Sequence, residues 1–139
     1  MKSSYLMLMF LSLSIGRSEA KSFHIKVDAT LYCPTIYFYY ANLWEEVDSS
    51  SILLSDLKYH RSYSNVTSLC EIEGMTRDAQ TVKPLMTIEH SCGKNYTCVC
   101  KKFGDVSSHF EAVVSIDLKD NYYTECSSCT EARKRRGWE

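Results

Sequence analysis

Seven cysteines fall at positions 33, 70, 92, 98, 100, 126 and 129. Three of them join His90 inside the stretch "EHSCGKNYTCVC", a density that suits a metal site, a redox centre or a set of disulfide staples. The compartment decides among these, because thiols oxidise in secreted chains and stay reduced in the cytosol. Residues 1–20, "MKSSYLMLMFLSLSIGRSEA", run from Lys2 through an apolar core to the small residues Ser18 and Ala20. That is the order of a secretory signal peptide, with cleavage expected after Ala20. Its apolar core is shorter than the roughly 20 residues a membrane span takes, and no later run is longer, so no transmembrane segment is expected. Two Asn-x-Thr sequons, at Asn65 and Asn95, predict glycosylation in the same compartment.

Disulfides are therefore the expected fate of Cys33, Cys70, Cys92, Cys98, Cys100, Cys126 and Cys129. Across a hairpin His90, Cys92, Cys98 and Cys100 can all face one side, yet ligand thiols must remain thiolates. Neither a metal nor another cofactor is expected. Seven is an odd number, so one thiol is left over or links two chains into a dimer. Cys126-x-x-Cys129 is the expected place for it, as a local bridge or a dimer link rather than a redox motif.

The 119 residues behind the leader suit one domain. Without Lys2, Arg17 and Glu19, 14 basic residues face 16 acidic ones, and no nucleic-acid partner is indicated. Residues 23–33, "FHIKVDATLYC", alternate apolar and polar without a break, which predicts a strand with one buried face. Pro34 ends it. Residues 36–44, "IYFYYANLW", read as a second strand covered on both faces. Tyr37, Tyr39 and Tyr40 read there as sheet packing with an amphipathic rim, ahead of an aromatic binding surface. Residues 51–59, "SILLSDLKY", fit a short helical turn or an edge strand equally. Further strands are predicted at 65–74, 82–92, 96–103 and 109–118, with a short last one near 121–126. Met86, Ile88, His90 and Cys92 share one face of the fourth. Six or seven short strands without a convincing helix predict an all-β, antiparallel sandwich. The domain spans 21–125, and 126–139 reads as a polar, basic tail.

The order of residues resembles the nematode transthyretin-like family of small secreted proteins. "VDATLYC" (27–33) stands for the family's Val-x-Gly-x-Leu-x-Cys strand, with Ala29 in the glycine place. "NLWEEVDSSSILLSDL" (42–57) matches its Leu-Trp/Tyr-Glu strand end and acidic loop closing on Asp-x-Leu. "PLMTIEHSC" (84–92), followed by Cys98, is similar to its Pro-x-Leu-x-Ile-x-His-x-Cys strand. Cys70, Cys100, Cys126 and Cys129 lie outside the family pattern. The resemblance covers about 25–118 and implies a prealbumin-like sandwich of about seven strands. Related folds include a thyroid-hormone carrier and a hydrolase with a C-terminal Tyr-Arg-Gly-Ser. This chain ends "RRGWE", so the hydrolase chemistry is not carried over. The pairs expected first are Cys92 with Cys98, or Cys33 with Cys98 or Cys100.

No nucleophile motif such as Gly-x-Ser-x-Gly is present, and His90 reads as a hydrogen-bonded strand histidine. His24, His60 and His109 give no zinc spacing. The basic run Arg133, Lys134, Arg135 and Arg136 has three readings: a solvated tail, a contact for anionic lipid or glycosaminoglycan, or a processing site. The expected function is a secreted, non-enzymatic binding, carrier or bridging protein. Its partner would be an extracellular protein, a lipid or a small apolar ligand. The alternative is a secreted precursor or signalling polypeptide cut at the basic tail.

Overall fold

A computed structural model describes residues 21–55, 58–62, 67–93, 96–120 and 126–135, for 58 and 62 the backbone alone. The expected signal peptide, the sequon residues Asn65 and Asn95, the short strand near 121–125 and Arg136 lie outside the described residues. Eight strands and one helix follow in order: β1 (His24–Tyr32), β2 (Tyr37–Val47), β3 (Ser50–Leu53), β4 (Lys58–Ser62), β5 (Ser68–Met75), β6 (Pro84–His90), β7 (Thr97–Lys102), β8 (Phe110–Asp117) and α1 (Ser127–Arg135).

Strand β1 does what its alternation predicts. Ile25, Val27, Ala29 and Leu31 are fully buried, while His24, Lys26, Asp28 and Thr30 are half-exposed on the other face. It is the centre of a three-stranded sheet, β5-β1-β8. The β1–β5 pair is antiparallel and the β1–β8 pair parallel, so this sheet is mixed where an antiparallel one was expected. The second sheet runs β3-β2-β6-β7, with β4 also pairing β2, all antiparallel. Between the sheets, the β1 residues meet Cys70 and Ile72 of β5, Ile116 of β8, Tyr37, Tyr39, Ala41 and Leu43 of β2, and Met86 and Ile88 of β6. At about 25 cal/mol per Å2 of apolar surface removed from water, this shared core is the main stabilising term.

The segment 51–59 takes the edge-strand alternative, in two pieces. β3 and β4 are two separate edge strands, which pair with opposite ends of β2. Asp48 supports the tight β2–β3 turn with φ of 52°, a conformation aspartate tolerates better than most residues. Pro84 opens β6, where its missing N–H leaves the ladder intact.

Two expectations fail at the C-terminus. Residues 127–135 form a helix, and the segment 126–135 is not a solvated tail, since Ser128, Cys129 and Ala132 are buried. Helix α1 lies on the outer face of the second sheet. There Ala132 packs on Trp44 and Leu85, Ser128 Oγ hydrogen-bonds Ser51 Oγ, and the Arg135 guanidinium lies 5.7 Å from the Trp44 ring. This cover explains why β6 is buried on both faces along its whole length.

Gly74 of β5 lies directly against the Leu54 backbone. A Cβ there would fall 2.0 Å from the Leu54 carbonyl oxygen, and a backbone atom cannot step aside as a flexible side chain can. Gly74→Ala is expected to destabilise the fold by about 1–3 kcal/mol, read as a lower urea midpoint. An unchanged midpoint would show that the sheets separate there freely.

Candidate functional site

The outer face of the second sheet carries two neighbouring constellations, a sulfur cluster under helix α1 and a row of aromatic rings beside it. Cys98 and Cys100 are i and i+2 on β7 and so share a face. Cys126 and Cys129 are i and i+3 at the start of α1 and share a side there. Two bridges join them, Cys98–Cys129 and Cys100–Cys126, the second nested within the first. Cys129 N–H donates to the Cys126 carbonyl, which opens the helix. The Cys100 and Cys129 sulfurs of the two different bridges lie 3.4 Å apart. Cys98 and Cys129 are fully buried, and Cys126 is half-exposed.

The third bridge, Cys33–Cys92, ties the end of β1 to the end of β6 across the main core. All three pairings differ from those expected. Cys92 does not meet Cys98, because Cys92 packs in the core between the sheets whereas Cys98 faces outward beneath α1. The same alternation separates His90 from Cys98. His90 registers with Thr97 and Cys98 with Glu89, so His90, Cys92, Cys98 and Cys100 cannot converge on one metal. The odd cysteine is Cys70, not a member of Cys126-x-x-Cys129. It is 2% exposed in the core beside Tyr39, a position that offers no sulfur to a second chain. Burial first, then Cys70, raises the Tyr39 hydroxyl above its ordinary range.

The aromatic row continues the outer face away from the helix. Tyr59 of β4 lies 4.8 Å from Tyr40, Tyr40 is 6.0 Å from Phe38, and Phe38 is 6.0 Å from Tyr96, centroid to centroid. Tyr59 is 57% exposed and the other three are half-buried. Burial, with Tyr40 adding to it, pushes the Tyr96 hydroxyl up to about 12, against a smaller opposing pull from Arg133. Tyr37 and Tyr39 are core residues, as the packing reading holds, and Tyr40 belongs to the row. Of the basic run, Arg133, Lys134 and Arg135 form the last turn of α1, where positive charge suits the helix dipole.

Two further features were hidden from sequence spacing. His24 and His109 stack at 5.3 Å on the open face of the first sheet, each on a carboxylate, Glu73 and Glu111 respectively. Glu45 is 3% exposed, its Oε2 has no hydrogen-bond partner among the described residues, and the Arg77 Nε stands 3.8 Å away. It lines an open cleft of about 410 Å3 with Glu46, Asp48, Arg77 and Lys83.

His90 is buried, and its Nδ1 accepts from the Cys92 N–H at 3.1 Å. The proton of the neutral ring therefore sits on Nε2, which has no hydrogen-bond partner among the described residues. Burial lowers its pKa to about 4. The unfolded chain binds that proton near pH 6.5, so between these values the unfolded state holds more protons and stability rises with pH. The contribution is complete above pH 6.5 and is lost as pH falls to about 4, to the extent of about 3 kcal/mol. His90→Asn keeps an acceptor for the Cys92 amide and does not titrate. Its urea stability is expected to fall by about 3 kcal/mol less than wild type between pH 7 and pH 4; an equal fall would assign the dependence to other groups.

Removing both helix bridges frees a 31-residue separation and is expected to cost about 3–4 kcal/mol. Removing only Cys100–Cys126, by Cys100→Ser with Cys126→Ser, leaves the outer bridge closing the loop and should cost far less. Equal losses in urea unfolding would contradict the nested arrangement.

Comparison of the chain with protein-family models, with curated proteins and with solved structures finds no match in any of the three.

Proposed function

We propose that the chain is a secreted, glycosylated β-sandwich of the transthyretin-like, prealbumin-like type that binds an extracellular partner rather than catalysing a reaction. The observation that carries the reading is the row Tyr59, Tyr40, Phe38 and Tyr96 on a sheet face held by disulfides to helix α1. Rigid aromatic rings with polar tips give contact area at low entropic cost and dominate many interfaces. Six of the seven cysteines lie in bridges, a usage that belongs to oxidising compartments. His90, the residue nearest to a catalytic base in the sequence, spends its Nδ1 on the Cys92 N–H just past its strand. The partner is an extracellular protein, a lipid or a small apolar ligand, carried or bridged by this face.

The rival reading, a precursor cut after Arg136, meets a physical obstacle. Processing enzymes take their substrates extended, and Arg133, Lys134 and Arg135 are helical. The last turn of α1 would have to unwind before cleavage.

The test is a saturation-binding screen of oxidised, eukaryotically secreted protein against extracellular proteins, lipid vesicles and small apolar ligands. At least one saturable partner is expected, and Tyr59→Ser should weaken it about tenfold, or about 1.4 kcal/mol. The intact mass of the same material should include residues 137–139 and show six oxidised cysteines. No saturable partner would overturn the binding reading, and a mass ending at Arg136 would favour the precursor.

A further inference from the structure

We propose that the four cysteines clamping helix α1 form a redox-gated zinc site: once the two bridges are reduced, Cys98, Cys100, Cys126 and Cys129 hold one Zn2+ as a tetrathiolate. The placement of the sulfurs carries this. Those of Cys100, Cys126 and Cys129 all lie within 4.8 Å of one another, and Cys98 is bonded to Cys129. Tetrahedral zinc with Zn–S of about 2.3 Å needs sulfurs about 3.8 Å apart. The Cys100–Cys129 pair stands at 3.4 Å already. The two bonded pairs need open by only about 2 Å each, within the reach of side-chain rotation about fixed backbones.

The backbones that hold them are suited to the task. Two ligands come from one face of a strand and two from the first turn of a helix, whose N-terminal dipole favours thiolate over thiol. Four thiolates without an open position make a closed site that selects zinc over hard cations. It differs from the His90-centred group that the sequence suggests, and shares only Cys98 and Cys100 with it.

The redox step balances with a dithiol reductant. Two dithiol molecules supply four electrons and four protons, two S–S bonds break, four protein thiols form, and two cyclic disulfides leave. Entry is at Cys126, the half-exposed sulfur. Attack there releases Cys100 as a thiolate beside Cys129 Sγ at 3.4 Å. Cys100 can then displace Cys98 from Cys129. The first dithiol closes to its cyclic disulfide and frees Cys126, and the second dithiol reduces the Cys100–Cys129 bridge so formed, leaving four thiols. Zinc binding expels the four thiol protons.

The experiment uses the full oxidised chain, reduced anaerobically with a dithiol and freed of it by gel filtration. Cobalt(II) is titrated first and zinc second, and the zinc-loaded chain is then alkylated and mapped by mass. One cobalt per chain with tetrahedral and thiolate charge-transfer absorption is expected, displaced by zinc. Zinc should slow alkylation of Cys98, Cys100, Cys126 and Cys129 relative to the zinc-free reduced chain, and leave that of the core residues Cys33, Cys70 and Cys92 unchanged. Cys126→Ser should lose the four-thiolate signature and bind about tenfold more weakly or worse. Absence of metal binding overturns the proposal, as does zinc-dependent shielding of other cysteines in place of these four, or equal affinity in denaturing urea, which would make the site independent of the fold.

Discussion

A nine-residue helix has little stability of its own in water, and α1 has no acidic residue in its first turn to help it start. What holds it is covalent: the bridges Cys98–Cys129 and Cys100–Cys126 fix its first turn to β7. From that anchor the rest of the second sheet follows. Ala132 reaches Trp44 and Leu85 only because Cys129 has been fixed one turn earlier. With that face covered, β2 and β6 can carry apolar residues on both sides. Trp44, which would be a large exposed ring on an open sheet, is buried with its Nε1–H donating to Thr87 Oγ1 at 2.8 Å.

Where one face of a strand meets core and the other water, the sequence was legible. β1 shows this at every position from Ile25 to Leu31. β6 was placed by its proline and by Met86, Ile88 and Cys92, which do face the core. Legibility ended where structure depends on partners distant in the chain. The parallel β1–β8 pair leaves no mark in either strand. β3 and β4 are too short for a period to declare itself. The helix did leave a mark: Cys126, Cys129 and Ala132 recur every third residue, and Cys98 and Cys100 every second. Each spacing sets its cysteines on one face of a different element, a helix and a strand. Matched as sets, the two spacings pair β7 with α1, and they fit nested and crossed bridges alike. Reading the tail as polar and charged obscured them.

The interior is not uniformly apolar, and its polar groups differ in how well they are served. Tyr37 donates to Ser68 Oγ at 2.9 Å, and the Phe23 N–H to Thr76 Oγ1 at 3.0 Å, so these groups lose little on burial. The Nε2–H of His90 and the Oε2 of Glu45 have no such partner among the described residues, and each makes the fold sensitive to its surroundings. For His90 the consequence is acid lability, because a proton is welcome only in the unfolded chain. For Glu45 it is dependence on Arg77, whose exposed guanidinium is the cation beside it. Polar burial in this fold is not confined to strand ends, since Asn42 and Thr87 are buried in the middle of β2 and β6.

The distribution of sulfur bears on how such a protein meets a partner. Cys70 lies inside the core and the other six cysteines are in bridges, so none is presented for a covalent link to another chain. Contact must come from rings and charges. Tyr59 stands on β4 and Tyr40 and Phe38 on the paired β2, Tyr96 directly precedes β7 of the same sheet, and the helix beside them is bonded to β7. A surface ordered before binding has less freedom to lose on binding. The clamp that gives α1 its stability therefore also pre-organises the neighbouring face, so that loosening the bridges should reach the aromatic row without altering any ring within it.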